Sequence, residues 1–297
     1  MSEHEYTVGV IGLGAMGLPM ASRLASGLTV HGFDIAEDRL ALAETRGITT
    51  FASAVECSQG VDAVLLAVRD SSQLEEALFG ADGIVEALPR GCVVILTSTV
   101  GMDGIVSIAS RLDERGVSLV DAPLSGGPVR AGEGDLLVVV GATPSAVERS
   151  RPALDLLAST LTIVGDHPGA GQAFKTVNQL LCGVHIAAAT EALALAGRLG
   201  LDVPSVLATL STGAAESFML ANRGPRMLEA YDDAGAEVLS RLDIFVKDLG
   251  IVTRSAKGLG LPTPVASAAE QLFLMGAAAG LATADDSAVI TVVAPKE

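Results

Sequence analysis

Val8-Gly9-Val10-Ile11-Gly12-Leu13-Gly14-Ala15-Met16-Gly17 decides how the first half of the chain folds. An apolar run enters a G-x-G-x-x-G turn, and residues 16–26 continue in a helical pattern. Each glycine has a job in such a turn. Gly12 makes the tight bend, Gly14 lets backbone amides approach a pyrophosphate, and Gly17 lets helix and strand pack closely. Leu13, Ala15 and Met16 supply the remaining amides, and the helix N-terminus adds a partial positive charge for phosphates. A second apolar run, residues 28–33, ends at Asp34, where an acid meets the adenine ribose of a dinucleotide. A carboxylate there accepts hydrogen bonds from the ribose diol and repels a phosphate placed on it. No Arg follows Asp34 directly, so the spacing predicts NAD rather than NADP.

Outward from this unit, strand-like and helical segments alternate. Residues 6–11, 28–33, 62–68, 92–96 and 117–120 read as strands, most of them continuously apolar, as strands covered on both faces are. Helical patterns lie between them, for example at 16–26, 71–78 and 102–115. The alternation predicts a Rossmann-type doubly wound parallel sheet, with later strands at 135–140 and 161–164 at or near its edge. At Gly165-Asp166-His167-Pro168-Gly169 the pattern changes. Residues 171–199 read as one helix of roughly 45 Å, and all that follows is helical until the tail. The expected organisation is a cofactor domain over 1–166 and an all-α domain over 167–297, joined through this long helix.

The composition closes off other classes. Of 297 residues 49% are hydrophobic, only 3% are aromatic and Trp is absent, so the cores are aliphatic. A net charge of −16 makes nucleic acid an improbable partner. Cys57, Cys92 and Cys182 are far apart and read as buried small hydrophobes of a reducing compartment. No catalytic metal is implied, since His4, His31 and His167 form no cluster. The short acidic N-terminus does not read as a signal peptide, and no run of 18 apolar residues is free of charges or amides. A cytoplasmic protein without a membrane partner is expected. The alanine-rich helices after residue 170 exceed what one small domain can bury, which predicts a homodimer or homotetramer.

Only four of the 19 basic residues are Lys: Lys175, Lys247, Lys257 and Lys296. Where Arg serves every generic need for charge, a retained Lys hints at chemistry that a permanent guanidinium cannot perform. Lys175 opens the long helix, and Asn178 and Gln179 fall on its face at about 100° per residue. The positive helix end and the apolar neighbours both disfavour the ammonium, so this amine is expected to titrate within reach of acid–base work. A Lys that snorkels to solvent or pairs with an acid is the plainer alternative. His185, ten residues on and turned off that face, reads as a packing histidine.

Four ordered segments carry a likeness: Gly12-Leu13-Gly14-Ala15-Met16-Gly17, Asp121-Ala122-Pro123-Leu124-Ser125-Gly126-Gly127, Gly169-Ala170-Gly171 leading to Lys175, and Lys247-Asp248-Leu249-Gly250. Over almost its whole length the chain resembles the β-hydroxyacid dehydrogenase family, which includes 3-hydroxyisobutyrate dehydrogenase and tartronate semialdehyde reductase. The resemblance implies an NAD-dependent oxidoreductase acting on a small hydroxy acid. Lys175 would be the catalytic lysine, and Ser125, Gly126 and Gly127 the loop for the substrate carboxylate. Thr99 would lie beside the nicotinamide with Val68 and Asp70 near its ribose, and Lys247 would close over cofactor and substrate. The chain departs from the family pattern at Gln179 and at Asp70, where Asn is usual.

Segments around residues 179–189, 243–250 and 285–290 resemble a branch of that family, and the resemblance implies oxidation of a four-carbon sugar acid such as L-threonate. The other small acids of the family remain alternatives. An imine reductase or a non-catalytic NAD-binding scaffold is more remote, because such relatives generally lose the lysine. The expected mechanism places substrate in a cleft between the domains, with Asn178 and Gln179 orienting its hydroxyls.

Overall fold

The structure is a computed structural model that describes residues 5–296. The readings made on the first four residues, His4 included, lie outside that range. The chain divides into two compact units, the first ending at Lys175 and the second beginning at Thr176.

In the first unit the strands are β1 (Thr7–Ile11), β2 (Thr29–Phe33), β3 (Thr49–Thr50), β4 (Ala63–Leu66), β5 (Val93–Leu96), β6 (Ser118–Asp121), β7 (Leu124–Ser125), β8 (Leu136–Gly141) and β9 (Ala158–Gly165). The helices are α1 (Gly17–Leu24), α2 (Glu37–Glu44), α3 (Ala54–Cys57), α4 (Ser71–Phe79), α5 (Ile105–Asp113), α6 (Gly127–Glu133), α7 (Pro144–Leu157) and the start of α8 (Ala170–Arg198). The strand order is β3-β2-β1-β4-β5-β6-β8-β7, with β9 also paired to β8. From β3 to β6 every pairing is parallel. The chain leaves β1 toward β2 on one side and returns to β4 on the other. This puts a topological switch point at the carboxyl ends of β1 and β4, where open α/β sheets bind ligands.

The sheet alternates between two cores because side chains alternate along a strand. Val8, Val10, Leu65, Ile95 and Val120 face one layer with Leu18, Leu24, Leu154 and Leu157 of α1 and α7. Ile11, Val64, Leu66, Val94 and Leu96 face the other with Leu74, Leu78, Ile105 and Leu112 of α4 and α5. All of β4 and β5 is buried, which accounts for their continuous apolar sequences.

The doubly wound sheet is present, but one edge departs from the parallel expectation. β8 runs antiparallel to β6 and β7, while β9 is parallel to β8. The stretch between β6 and β8 holds β7 and the short α6 rather than a full crossover helix, so the chain doubles back.

The second unit is helical, with the rest of α8, α9 (Val203–Leu210), α10 (Phe218–Glu229), α11 (Leu242–Gly258), α12 (Pro264–Gly276) and α13 (Ile290–Val293). Its core gathers Ile186, Leu193, Leu207, Met227, Leu249 and a stacked Phe245–Phe273 pair with ring centroids 5.2 Å apart. The segment before α13 is pinned by buried charge. Asp286 receives Nε and Nη2 of Arg223 at 3.1 and 2.9 Å. Asp285 receives Nε of Arg226 at 3.0 Å and the amides of Leu239, Ser240 and Ser287.

α8 is long and apolar enough to cross a membrane by length and composition, with an 18-residue window of mean hydropathy 1.6. The same helix carries Gln172, Lys175 and Gln179 on its buried face.

Removing one partner of the buried network strands the others. Asp286→Ala is expected to lower unfolding stability by about 3 kcal/mol in urea titration. Glu86→Ala, which breaks a solvent-exposed pair with Arg115, should leave the midpoint unchanged.

Candidate active site

The glycine turn after β1 has the geometry its spacing predicts. Gly12 sits at φ +92°, and a Cβ there would lie 2.5 Å from the Ala67 carbonyl oxygen. A Cβ on Gly17 would overlap the Gly12 carbonyl oxygen at 1.7 Å, so only glycine lets α1 start this close to the turn. At Gly14 a Cβ would meet nothing within 4 Å. The space beside Gly14 is therefore open, as a cradle for a pyrophosphate must be. Asp34 is built into the same loop: Oδ2 accepts from the Leu13 amide at 2.6 Å and Oδ1 from the Ala36 amide at 2.9 Å. A carboxylate offers about four acceptor positions, so capacity remains for a ribose diol.

Beyond β4, Val68 is half-buried and Arg69 exposed. Asp70, whose role the sequence left unread, caps α4. Its side chain accepts from the Gln73 amide at 2.9 Å, while Gln73 Oε1 accepts from the Arg69 amide at 2.9 Å. This is close to a reciprocal capping box, and Asn would serve as an N-cap about as well as Asp. The side chain at this position thus has a local structural function, which the change from Asn leaves intact.

After β5, Thr97 Oγ1 donates to the Leu66 carbonyl at 3.0 Å and ties the end of β5 to β4. Thr99 follows, half-buried. A fully buried pair, Asp121 and Gln172, lies next to this loop. Gln172 Nε2 donates to Asp121 Oδ1 at 2.8 Å and to the Ser98 carbonyl at 3.0 Å. Gln172 Oε1 accepts from the amides of Val100 and Gly101 at 2.9 and 3.1 Å. Asp121 Oδ2 accepts from the amides of Gly169 and Gln172, both at 2.9 Å, and so caps α8 from a distant strand. Burial pushes the Asp121 carboxyl above its ordinary range, and the hydrogen bonds from Gln172 and Gly169 pull against that rise.

Both residues stand inside motifs the sequence singled out, yet neither was read as functional. The usable signal was an acid ending an apolar strand, together with an amide in the first turn of a helix.

Past Asp121 the chain reaches Ser125, Gly126 and Gly127, all half-buried. Gly126 and Gly127 have φ of +147° and +81°, a region that favours glycine, and they turn the backbone from β7 into α6. Lys175 stands three residues after Gln172 on α8 and is only 9% exposed.

In the second unit, Gln179 Nε2 donates to Asp248 Oδ2, and Asn178 Nδ2 donates to Gln179 Oε1 at 2.9 Å. Lys247 Nζ lies 2.7 Å from Asp248 Oδ1. Four residues of α8 and α11 thus form one polar chain around a buried carboxylate, Asp248, which the sequence named only as part of a motif. Gln179 is one methylene longer than the family's Asn, and its amide is held within the protein. His185 is half-buried and lines a cavity of about 250 Å³ with Ala188, Ala192, Leu210 and Glu216. Cys57 and Cys92 are buried, and desolvation pushes both thiols up to about 12, so they remain protonated packing groups.

A glycine turn with open space beside Gly14, an acid directly after β2 and a buried lysine fit one class: a nicotinamide-dinucleotide-dependent oxidoreductase. Residues 7–165 match the model for the NAD binding domain of 6-phosphogluconate dehydrogenase. Residues 169–293 match that for the NAD-binding of NADP-dependent 3-hydroxyisobutyrate dehydrogenase. The chain belongs to the 3-hydroxyisobutyrate dehydrogenase-like family of hydroxyacid dehydrogenases. It is 39% identical over 286 residues to L-threonate dehydrogenase of Cupriavidus necator, covering 96% of this chain and 95% of that one. Identity to 2-hydroxy-3-oxopropionate reductase of Escherichia coli K12 is 34% over 287 residues, covering 95% of each. A crystal structure of 3-hydroxyisobutyrate dehydrogenase from Salmonella typhimurium superposes with a TM-score of 0.89 at 38% identity, covering 97% of this chain and 100% of that one.

Because a side chain at position 14 would fill open space, Gly14→Val is expected to keep the native melting temperature. It should weaken NADH binding at least about tenfold, as measured by nucleotide fluorescence.

Proposed function

We propose that the protein oxidises a four-carbon sugar acid, L-threonate in the first instance, using NAD, with Lys175 as general acid and base. The observation that carries this reading is the placement of Lys175. Lysine is seldom buried unless it is paired, and Lys175 is only 9% exposed. This one follows by a single turn a residue hydrogen-bonded to both the Thr99 loop and the strand leading to Ser125, Gly126 and Gly127.

Residues 1–166 would bind the cofactor, and residues 167–297 would complete the substrate site and assemble a homodimer or homotetramer. Gly12, Leu13, Gly14, Ala15, Met16 and Gly17 would hold the pyrophosphate, with Asp34 on the adenine ribose. The Asp34 carboxylate would repel a ribose phosphate, which favours NAD over NADP. Val68, Asp70 and Thr99 would border the nicotinamide end. Bound there, the cofactor supplies a hydride acceptor.

Ser125 with the backbone amides of Gly126 and Gly127 would receive the substrate carboxylate, since successive amides through a positive-φ turn form an anion nest. As a free amine, Lys175 takes the proton of the substrate hydroxyl oxygen while the hydride leaves the carbon that bears this hydroxyl. In reverse, the ammonium protonates the forming alkoxide. Asn178 would hold substrate hydroxyls, with Gln179 fixing its amide, and Lys247 would add positive charge. The choice of L-threonate is supported by the identity to L-threonate dehydrogenase of Cupriavidus necator and by the sequence segments noted above. The protein is proposed to work in the cytoplasm with no nucleic-acid or membrane partner.

Two measurements check this. Lys175→Ala is expected to lose at least about a thousandfold in kcat with NADH binding intact, and unchanged turnover would refute the role. A panel of L-threonate, 3-hydroxyisobutyrate and tartronate semialdehyde, each tried with NAD(H) and NADP(H), should give the highest kcat/KM for L-threonate with NAD. Preference for tartronate semialdehyde would move the assignment to the reductase branch.

A further inference from the structure

The hydrogen-bonding capacity of the Gln172 side chain is spent on two separate segments, residues 98–101 and Asp121. Its oxygen accepts two amides, from Val100 and Gly101, and its nitrogen donates to the Ser98 carbonyl and to Asp121. An amide side chain offers two donors and two acceptor positions, so the set is complete. Its backbone amide donates to Asp121 as well. Neither residue exposes any surface. The contacts bracket Thr99 on both sides, at residue 98 and at residues 100 and 101. Asp121 ends the strand that leads within four residues to Ser125, and Lys175 follows Gln172 by one helical turn. A rotation or slide of α8 would break the whole set together, because each partner has a direction as well as a distance.

We propose that Gln172, held by Asp121, is a positioning residue for the reaction: it sets where the Lys175 amine stands relative to the Thr99 loop and the Ser125–Gly126–Gly127 turn. The inference rests on the reading of Lys175 as the acid–base group. It goes beyond that reading by naming what fixes the amine in place. A cap or a packing contact could have been made with one hydrogen bond. The observed arrangement fixes α8 against two loops at once, and misplacement of a reacting group by about 1 Å is enough to cost about a hundredfold in rate.

The test uses the full-length enzyme and four variants. Gln172→Met removes the amide. Asp121→Asn faces the Gln172 nitrogen or the helix amides with a second donor. The double variant Asp121→Asn/Gln172→Glu restores donor–acceptor pairing between the two positions and keeps acceptors for Val100 and Gly101, while leaving the Ser98 carbonyl without its donor. Lys175→Ala is the reference for the underlying reading.

Measured where circular dichroism shows a folded chain, each single variant is expected to lose about a hundredfold in kcat. The NADH dissociation constant should stay native. The kinetic isotope effect should rise with the panel's best substrate deuterated at its oxidised carbon, because hydride transfer becomes limiting. The double variant should recover most of the loss while keeping a raised isotope effect.

A purely structural role predicts lower thermal midpoints with native kcat and native isotope effect per folded molecule, and that result overturns the proposal. A double variant no better than the singles overturns it too. If the single variants do not fold, the folded double variant carries the test, and a native isotope effect in it decides against the proposal. Turnover surviving in Lys175→Ala would remove the acid–base reading and this inference together. Loss of turnover in Lys175→Ala, with native kcat in the Gln172 variants, would remove this inference alone.

Discussion

A carboxylate with no exposed surface is among the most costly groups a fold can contain, and Asp121 is tolerable only because its oxygens are filled by N–H donors. Those donors come from Gly169 and Gln172, residues far along the chain that open α8. Burial in the sheet therefore dictates where the long helix begins and in which rotation. Were the helix to start elsewhere, Asp121 would be left unsatisfied, and Ser98, Val100 and Gly101 would lose their partner. The geometry of the proposed site follows from this one requirement.

The glycine turn works by a different kind of constraint. Gly12 and Gly17 are fixed by lack of space, since any side chain would meet the Ala67 or the Gly12 carbonyl. Gly14 is distinguished by the opposite condition, an empty surrounding that no packing argument explains. Two glycines serve the fold, and the third leaves open space beside the turn. Asp34 joins these roles, because the carboxylate assigned to the ribose also holds the Leu13 amide and so shapes the loop.

These distinctions explain what could be read from the sequence. The β1–turn–α1 unit was legible because period, glycine spacing and a terminal acid all report on local geometry within one βα unit. The central strands were legible because burial on both faces leaves a continuous apolar run, as in Ala63–Leu66 and Val93–Leu96. The antiparallel edge was not, since strand direction at β8 depends on how the short segment through β7 and α6 returns, and residues 136–141 look alike in either direction. Lys175 stood out through the scarcity of lysine. Gln172 did not, because an amide in a helical first turn is common and its meaning comes from a partner 51 residues away. Asp70 was visible as a departure from a pattern, and only the capping geometry gave it a function.

The first turns of α8 bury a polar face. Hydrophobic patterning would bury Phe174, Val177 and Leu181 and leave the polar residues outside. The helix does the reverse: Gln172, Lys175 and Gln179 are buried, while Phe174, Val177 and Leu181 are 42%, 62% and 49% exposed. Burying an amide, an amine and a second amide costs free energy that an apolar face would not. The fold accommodates that cost by hydrogen-bonding Gln172 through Asp121 and Gln179 through Asp248. A helix selected for packing alone would have no use for these two buried acids. Each of these acids instead holds one buried amide of α8 in a single orientation.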